Sequence, residues 1–153
     1  MTKILMVCLG NICRSPLAEG ILKSKFTNSS IFVDSAGTGA WHSGELPDKR
    51  SIAVAKKYGI DLTDQRARLF LIEDFDVFDK IYVMDKSNYV NVCRLAPSPD
   101  YIEKVELILN ESNPGKDLEV PDPYYGGDQG FENVYQMLNE ACNKIKEKIE
   151  NAY

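Results

Sequence analysis

Five residues separate Cys8 from Arg14, and a Ser-Pro pair follows, in the run Val7-Cys8-Leu9-Gly10-Asn11-Ile12-Cys13-Arg14-Ser15-Pro16. The chemistry these types could do at this spacing is covalent capture of a phosphoryl group. A loop of that length can curl so that the backbone N–H groups of Leu9, Gly10, Asn11, Ile12 and Cys13 converge on one anion. Gly10 and Asn11 tolerate the left-handed backbone that such a curl demands. A helix opening directly after the loop adds partial positive charge at its first turn. Arg14 offers a planar fork able to hold two phosphoryl oxygens at once. Donors gathered around Cys8, the Ser15 hydroxyl among them, favour the thiolate that acts as nucleophile. Cys8 alone would read as a small buried hydrophobe; the Gly, Arg and Ser-Pro in register with it select the catalytic reading. The spacing is not that of a nucleotide P-loop, and Gly37-Thr38-Gly39 lacks the third glycine of a dinucleotide fingerprint.

A thiolate that displaces an alkoxide or phenoxide from phosphorus needs an acid to protonate the departing oxygen. Asp122 is the candidate, in Val120-Pro121-Asp122-Pro123-Tyr124-Tyr125-Gly126, where flanking prolines restrict the backbone. Taken alone, an Asp between prolines makes a turn. The adjacent Tyr124 and Tyr125 tilt the reading, because exposed aromatic rings in such a loop suit a planar partner such as a phosphotyrosine ring. Trp41, the single tryptophan, lies in another Gly-containing loop after the second apolar run. It reads either as a core residue or as a further wall of the same slot.

These side chains must be positioned by short apolar runs that alternate with longer amphipathic ones, the pattern of an α/β fold with a parallel sheet. Strands are predicted at 3–7, 31–33, 80–84 and 105–109. Ser15 is expected to cap a helix with Pro16 at its first position, Leu17, Ala18, Ile21, Leu22 and Phe26 forming the apolar face. A second helix is predicted at 48–58, closed by Gly59. A third is expected after Asp85 as cap, carrying Tyr89, Val90, Cys93 and Leu95. The span 110–130, rich in Pro, Gly and Asp, reads as a long functional loop. Phe131, Val134, Leu138, Cys142, Ile145 and Ile149 mark a final helix. The expected architecture is a three-layer sandwich, a four-stranded parallel sheet flanked by helices, with the phosphate loop after the first strand. Ligands of such sheets bind at the carboxyl ends of the strands.

The chain has 153 residues, which suits one domain, 1–153. A net charge of −5 argues against sequence-independent binding to nucleic acid or to anionic membranes. No stretch approaches the ~20 apolar residues of a membrane span, and the run 4–7 is too short for a signal-peptide core. Four cysteines, Cys8, Cys13, Cys93 and Cys142, are too sparse for a disulfide-stapled secreted domain. A cytoplasmic location is expected, and the sequons at Asn28 and Asn110 read as chance.

The cysteine loop, the distant Asp-Pro-Tyr-Tyr-Gly, Asp34-Ser35-Ala36-Gly37-Thr38 and Met84-Asp85 together resemble the low-molecular-weight protein tyrosine phosphatases over essentially the whole chain. That resemblance implies Cys8 as nucleophile, Arg14 as phosphate clamp and Asp122 as general acid. It implies Asn11, Ser15 and Ser35 as supports of the phosphate loop, with Asp85 also supporting, and Trp41, Tyr124 and Tyr125 as walls of the slot. It also implies a reversible Cys8–Cys13 disulfide that protects the nucleophile, and phosphotyrosine-containing proteins as partners. No cofactor and no metal are expected, and a monomer with at most weak self-association through the active-site face. One departure stands out: where the family often carries a histidine bonded to the phosphate loop, this chain has Gln65 before Arg66-Ala67-Arg68, and a Gln amide can take the imidazole's place. The sole histidine, His42, reads as a rim residue. Three rival readings remain, of which one, a phosphocysteine carrier of a sugar-transport system, generally lacks the Arg and the acid present here. An arsenate reductase of the same fold needs two further cysteines close together, whereas Cys93 and Cys142 are far apart in sequence. A non-catalytic phosphotyrosine-binding module would not need nucleophile, clamp and acid together.

Overall fold

The computed structural model describes residues 1–27, 30–124 and 127–152. Among these residues four strands, β1 (Thr2–Cys8), β2 (Ile31–Gly37), β3 (Lys80–Val83) and β4 (Val105–Leu107), form one sheet in the order β2-β1-β3-β4, every pairing parallel. Among the described residues seven helices accompany them: α1 (Arg14–Ser24), α2 (Lys49–Lys57), α3 (Asp74–Val77), α4 (Lys86–Arg94), α5 (Pro99–Ile102), α6 (Leu109–Ser112) and α7 (Gly127–Asn151). Alternation along the central strand builds the three layers. Ile4, Met6 and Cys8 face a core shared with Leu17, Ile21 and Leu22 of α1 and with Phe131, Val134 and Leu138 of α7. Leu5 and Val7 face the opposite core, with Phe70, Phe75, Val92 and the apolar residues of β3 and β4.

The chain leaves β1 for β2 on one side and reaches β3 on the other, so the carboxyl end of β1 lies at a topological switch point, where ligands of open α/β sheets bind. Cys8 is the last residue of that strand. Local chemistry fixes the helices around it. Asp48 caps α2 by accepting from the Arg50 N–H (2.8 Å). The same helix closes in a Schellman motif, with Gly59 N–H bonded to Lys56 O, Ile60 N–H to Ala55 O, and Gly59 at φ 79°. Asp85 and Asn88 form a capping box on α4.

Several boundaries differ from those read in the sequence. The strand expected at 31–33 continues through Asp34 and Ser35 to Gly37. The span expected as loop from 110 contains the turn of α6 and gives way to α7 at Gly127. α1 begins at Arg14 rather than after Ser15: Cys13 occupies the cap position without a side-chain bond, and Pro16 falls inside the first turn, where its missing N–H costs nothing. Ser15 is therefore not the cap, and its hydroxyl is spent elsewhere. No helix among the described residues is long and apolar enough to cross a membrane.

Candidate active site

The turn from β1 into α1 is tight because β2 comes very close to it. Thr38 N–H donates to Cys8 O and Gly39 N–H to Leu9 O, both at 2.9 Å. A Cβ at position 37 would stand 2.8 Å from Leu9 O and 3.1 Å from the Asn11 amide nitrogen, so only glycine fits there. Asn11 takes the left-handed backbone, φ 57°. No protein acceptor among the described residues takes the amides of Gly10, Asn11, Ile12 or Cys13, which leaves them available to an anion.

Buried side chains hold this loop from behind. Cys8 Sγ lies 3.0 Å from Ser15 Oγ. Asn11 Nδ2 donates to Ser15 Oγ (2.8 Å) and to Ser35 Oγ (3.0 Å), and Asn11 Oδ1 accepts from the Arg68 backbone N–H (3.0 Å). Ser35 Oγ in turn donates to Glu19 Oε1 (2.6 Å), and Glu19 pairs with Lys23 one turn along α1. Burial pushes the Glu19 carboxyl up from its ordinary value, against hydrogen bonds from Lys23 and Ser35 that pull it down. A continuous polar chain thus runs from the nucleophile candidate to a buried carboxylate.

Arg14 is buried, and its Nη1 is committed to two protein acceptors, Asp85 Oδ2 at 2.7 Å and Val120 O at 2.9 Å. Asp85 serves twice, since its other oxygen caps α4 through Asn88 N–H (2.8 Å). Fixing one edge of the guanidinium in this way leaves Nε and Nη2 to meet a ligand. Asp122 Oδ2 lies 4.0 Å from Arg14 Nη2, while Asp122 Oδ1 accepts the Tyr124 N–H (3.0 Å) in a turn that fixes the carboxyl.

Cys8, Arg14 and Asp122 open onto one pocket of about 210 Å³, together with Leu9, Gly10, Ile12, Cys13, Trp41, His42 and Tyr124. That volume is below the ~300–1,000 Å³ common for drug-sized ligands and suits one ring and one phosphoryl group. Trp41 is 72% exposed, which removes the core reading and leaves it as a wall; its ring lies so close over Gly39 that a Cβ there would overlap it. His42 packs against Gly10 and bonds Glu45 through Nδ1 (2.9 Å), at the rim as expected. Tyr125, expected as a further wall, lies outside the described residues.

Gln65 differs from expectation. Its Nε2 donates to Pro16 O (3.1 Å), in the first turn of α1, and not to the phosphate loop; the loop contact from this segment comes from the Arg68 amide instead. Cys13 is buried, and burial foremost pushes its thiol up to about 12, with Asp48, Cys8 and Asp122 adding to the shift. Cys142 sits in the core between α1 and α7, while Cys93 packs on the opposite face of the sheet, so the two cannot form a thiol relay.

Sequence reasoning passed over Glu19, Arg68 and the Asp48–Arg50 pair. Glu19 carried a signal, an acid on a helix face otherwise formed by Leu17, Ala18, Ile21 and Leu22. Arg68 did not, because its backbone, not its side chain, touches the loop; its guanidinium is clamped between Asp34 and Asp74 at 3.0–3.2 Å.

A family model described as low molecular weight phosphotyrosine protein phosphatase matches residues 3–152. The low molecular weight phosphotyrosine protein phosphatase of Schizosaccharomyces pombe is 43% identical over 155 residues, covering 95% of this chain and 98% of that one. Among solved structures, a protein tyrosine phosphatase from Entamoeba histolytica with Hepes in the active site is similar at TM-score 0.92 and 38% identity, over 99% of each chain. A drosophila arginine phosphatase is similar at TM-score 0.88 and 33% identity, over 97% of this chain and 98% of that one.

Proposed function

The chain belongs to the low molecular weight phosphotyrosine protein phosphatase family, and from that premise we propose that it hydrolyses phosphotyrosine in proteins, and aryl phosphate monoesters generally, through a cysteinyl-phosphate intermediate. The observation that carries this reading is the convergence of the Cys8 thiol, the Arg14 guanidinium and the Asp122 carboxyl on one pocket walled by Trp41 and Tyr124.

In the first step Cys8 Sγ attacks phosphorus in line. The S–P bond forms as the bond between phosphorus and the tyrosine oxygen breaks, and Asp122 gives its proton to that oxygen. Arg14 and the loop amides hold the three equatorial oxygens, whose charge they match throughout. In the second step Asp122, now a carboxylate, takes a proton from water as the water oxygen attacks phosphorus and the thiolate departs. The Ser15 hydroxyl, 3.0 Å from Cys8 Sγ, supports this departure by donating to the sulfur. A rim that includes the rings of Trp41 and Tyr124 favours a planar phenol over an alkyl ester.

The test is hydrolysis of a phosphotyrosine peptide across pH, with Cys8→Ser and Asp122→Asn beside the parent enzyme. A bell-shaped kcat/KM profile unchanged by EDTA is expected. Cys8→Ser abolishes turnover while retaining oxyanion binding, and Asp122→Asn lowers kcat/KM by about 10²–10⁴-fold, the usual worth of a positioned acid. Phosphoserine and phosphoarginine peptides, run in parallel, set the substrate class; preference for either would overturn the aryl assignment. Turnover of arsenate coupled to thioredoxin, with no phosphatase activity, would replace the reading with the reductase.

The same pocket supports redox protection. Cys13 lines it beside Cys8, and an oxidised Cys8 sulfenic acid would condense with the Cys13 thiol to a disulfide and water. Mass spectrometry of peroxide-treated enzyme is expected to find the Cys8–Cys13 crosslink; stable sulfinic acid at Cys8 without a crosslink would refute it.

A further inference from the structure

Arg50, in the first turn of α2, lies behind the acid loop and does not line the catalytic pocket. Asp48 grips its guanidinium along one edge, with Arg50 Nε to Asp48 Oδ1 and Arg50 Nη2 to Asp48 Oδ2 both at 3.1 Å. The guanidinium lies over two rings: Cζ stands 4.5 Å from the centroid of buried Phe131, in α7, and 5.3 Å from that of Tyr124. A guanidinium paired bidentately with a carboxylate and held over aromatic rings loses much of its rotamer freedom.

Both ends of this element are tied to the site. Asp48 N–H donates to Ile12 O at 2.7 Å, inside the phosphate loop. Tyr124, under the guanidinium, donates its N–H to Asp122 Oδ1. A chain of contacts thus runs Ile12–Asp48–Arg50–Tyr124–Asp122, from the loop that holds the phosphoryl group to the carboxyl that protonates its leaving oxygen. The acid loop is tied to the rest of the molecule ahead of Asp122, where Val120 N–H bonds Met84 O and Val120 O accepts from Arg14 Nη1. Arg50 adds an attachment after the acid, at Tyr124.

We propose that Arg50 is a positioning residue for the general acid: stacked on Tyr124 and gripped by Asp48, it sets the place of the Asp122 carboxyl relative to the phosphate loop. The proposal rests on the phosphatase reading above. A residue that places the acid leaves its mark on kcat/KM through leaving-group protonation, while the part of Asp122 in the second step enters kcat alone. Poor leaving groups, such as the tyrosine phenol with its pKa of about 10, depend on the acid; more acidic phenols do not. A residue that serves only to hold α2 on α7 affects every substrate alike.

The experiment measures kcat/KM for a series of aryl phosphates of graded phenol acidity, with Arg50→Ala, Arg50→Lys and Asp122→Asn beside the parent. Arg50→Ala is expected to lower kcat/KM about tenfold or more for the least acidic phenol, in line with the cost of a misplaced catalytic group, and by much less for the most acidic. Arg50→Lys fails to rescue, since an ammonium neither stacks flat nor pairs bidentately. In the Asp122→Asn background Arg50→Ala adds no further loss. Inhibition by inorganic phosphate, unchanged in both Arg50 variants, reports that the Cys8–Arg14 loop is folded. If the loss in Arg50→Ala is the same for all phenols, or adds fully to that of Asp122→Asn, the positioning role is wrong while the phosphatase reading stands. If the parent enzyme hydrolyses no aryl phosphate, both fall together.

Discussion

Asn11 holds a left-handed backbone angle, φ 57°, while its side chain bonds Ser15, Ser35 and the Arg68 amide. The two demands can be separated by mutation. Asn11→Gly keeps the backbone at little cost but deletes three hydrogen bonds; Asn11→Ala deletes them and adds about 1–2 kcal/mol of left-handed strain. Both variants are expected to lose kcat/KM, and thermal denaturation should find Asn11→Ala the less stable of the two, reversing the usual order of Gly and Ala. Asn11→Ala melting above Asn11→Gly would show that the backbone angle is not the constraint. That Cys8, Arg14 and Asp122 share one pocket was legible in the sequence, because capture of a phosphoryl group calls for those three types, the first two at the spacing of a tight loop. Ser35 entered only through the family resemblance and the Arg68 amide not at all, because contacts 24 and 57 positions apart in sequence leave no local pattern. Ser15 carries two sequence readings, helix cap and donor beside Cys8; the structure sets aside the cap and places its hydroxyl against Asn11 and the Cys8 sulfur.

The strand β2 acts on the site as an element. Its last residue, Gly37, is where the phosphate loop is pressed against the sheet, and Phe70 N–H and Arg68 O bond it from the other side. Gly37→Ala would drive a methyl group into Leu9 O and the Asn11 amide, which are backbone and cannot swing away. The expected outcome is a loss of about 1–3 kcal/mol in denaturant unfolding, accompanied by weaker inhibition by inorganic phosphate. Gly20→Ala is the control: its new methyl would meet side-chain atoms of Leu62 and Ile60, which can repack, so stability falls while phosphate inhibition holds. Equal loss of phosphate inhibition in both variants would remove the argument from close approach. The sheet and the longer helices were legible from apolar periodicity, but the end of β2 was not. Asp34 and Ser35 break the apolar run, and they are tolerated because Arg68 and the Glu19–Ser35–Asn11 chain satisfy them. Single-turn helices such as α3, α5 and α6, four residues each, are too short to show a period.

At the scale of the whole molecule, two glutamates pull the pH dependence of stability in opposite directions. Glu132 of α7 accepts from Gln136 (2.8 Å), Lys57 (2.6 Å) and Tyr58 (2.6 Å), tying α2 to α7 beside the stacked Tyr58 and Tyr135 rings, and its carboxyl is held down at about 2 from an ordinary 4.5. A carboxyl depressed on folding adds stability that is complete above its unfolded pKa and is lost as pH falls through the folded one. Glu19 is raised by burial, so the sign is opposite: below its unfolded pKa it costs nothing, and the cost of ionising it appears as pH rises past that point. Glu132→Gln is therefore expected to lower Tm most at neutral pH, with the gap to the parent closing between about 4.5 and about 2. Glu19→Gln should move the other way, gaining on the parent as pH rises from acid to neutral, provided the Gln amide oxygen keeps the Ser35 hydrogen bond. Melting curves for the three proteins across this range decide the matter, because a Glu132→Gln gap that stays constant with pH would mean that α2 and α7 are held by their apolar packing alone. The same pair of helices carries Arg50 and Phe131, so the Glu132 tie also anchors the framework behind the acid loop. Its loss is expected to lower thermal stability well before it lowers kcat/KM, since the Asp48–Arg50–Tyr124 contacts do not pass through Glu132.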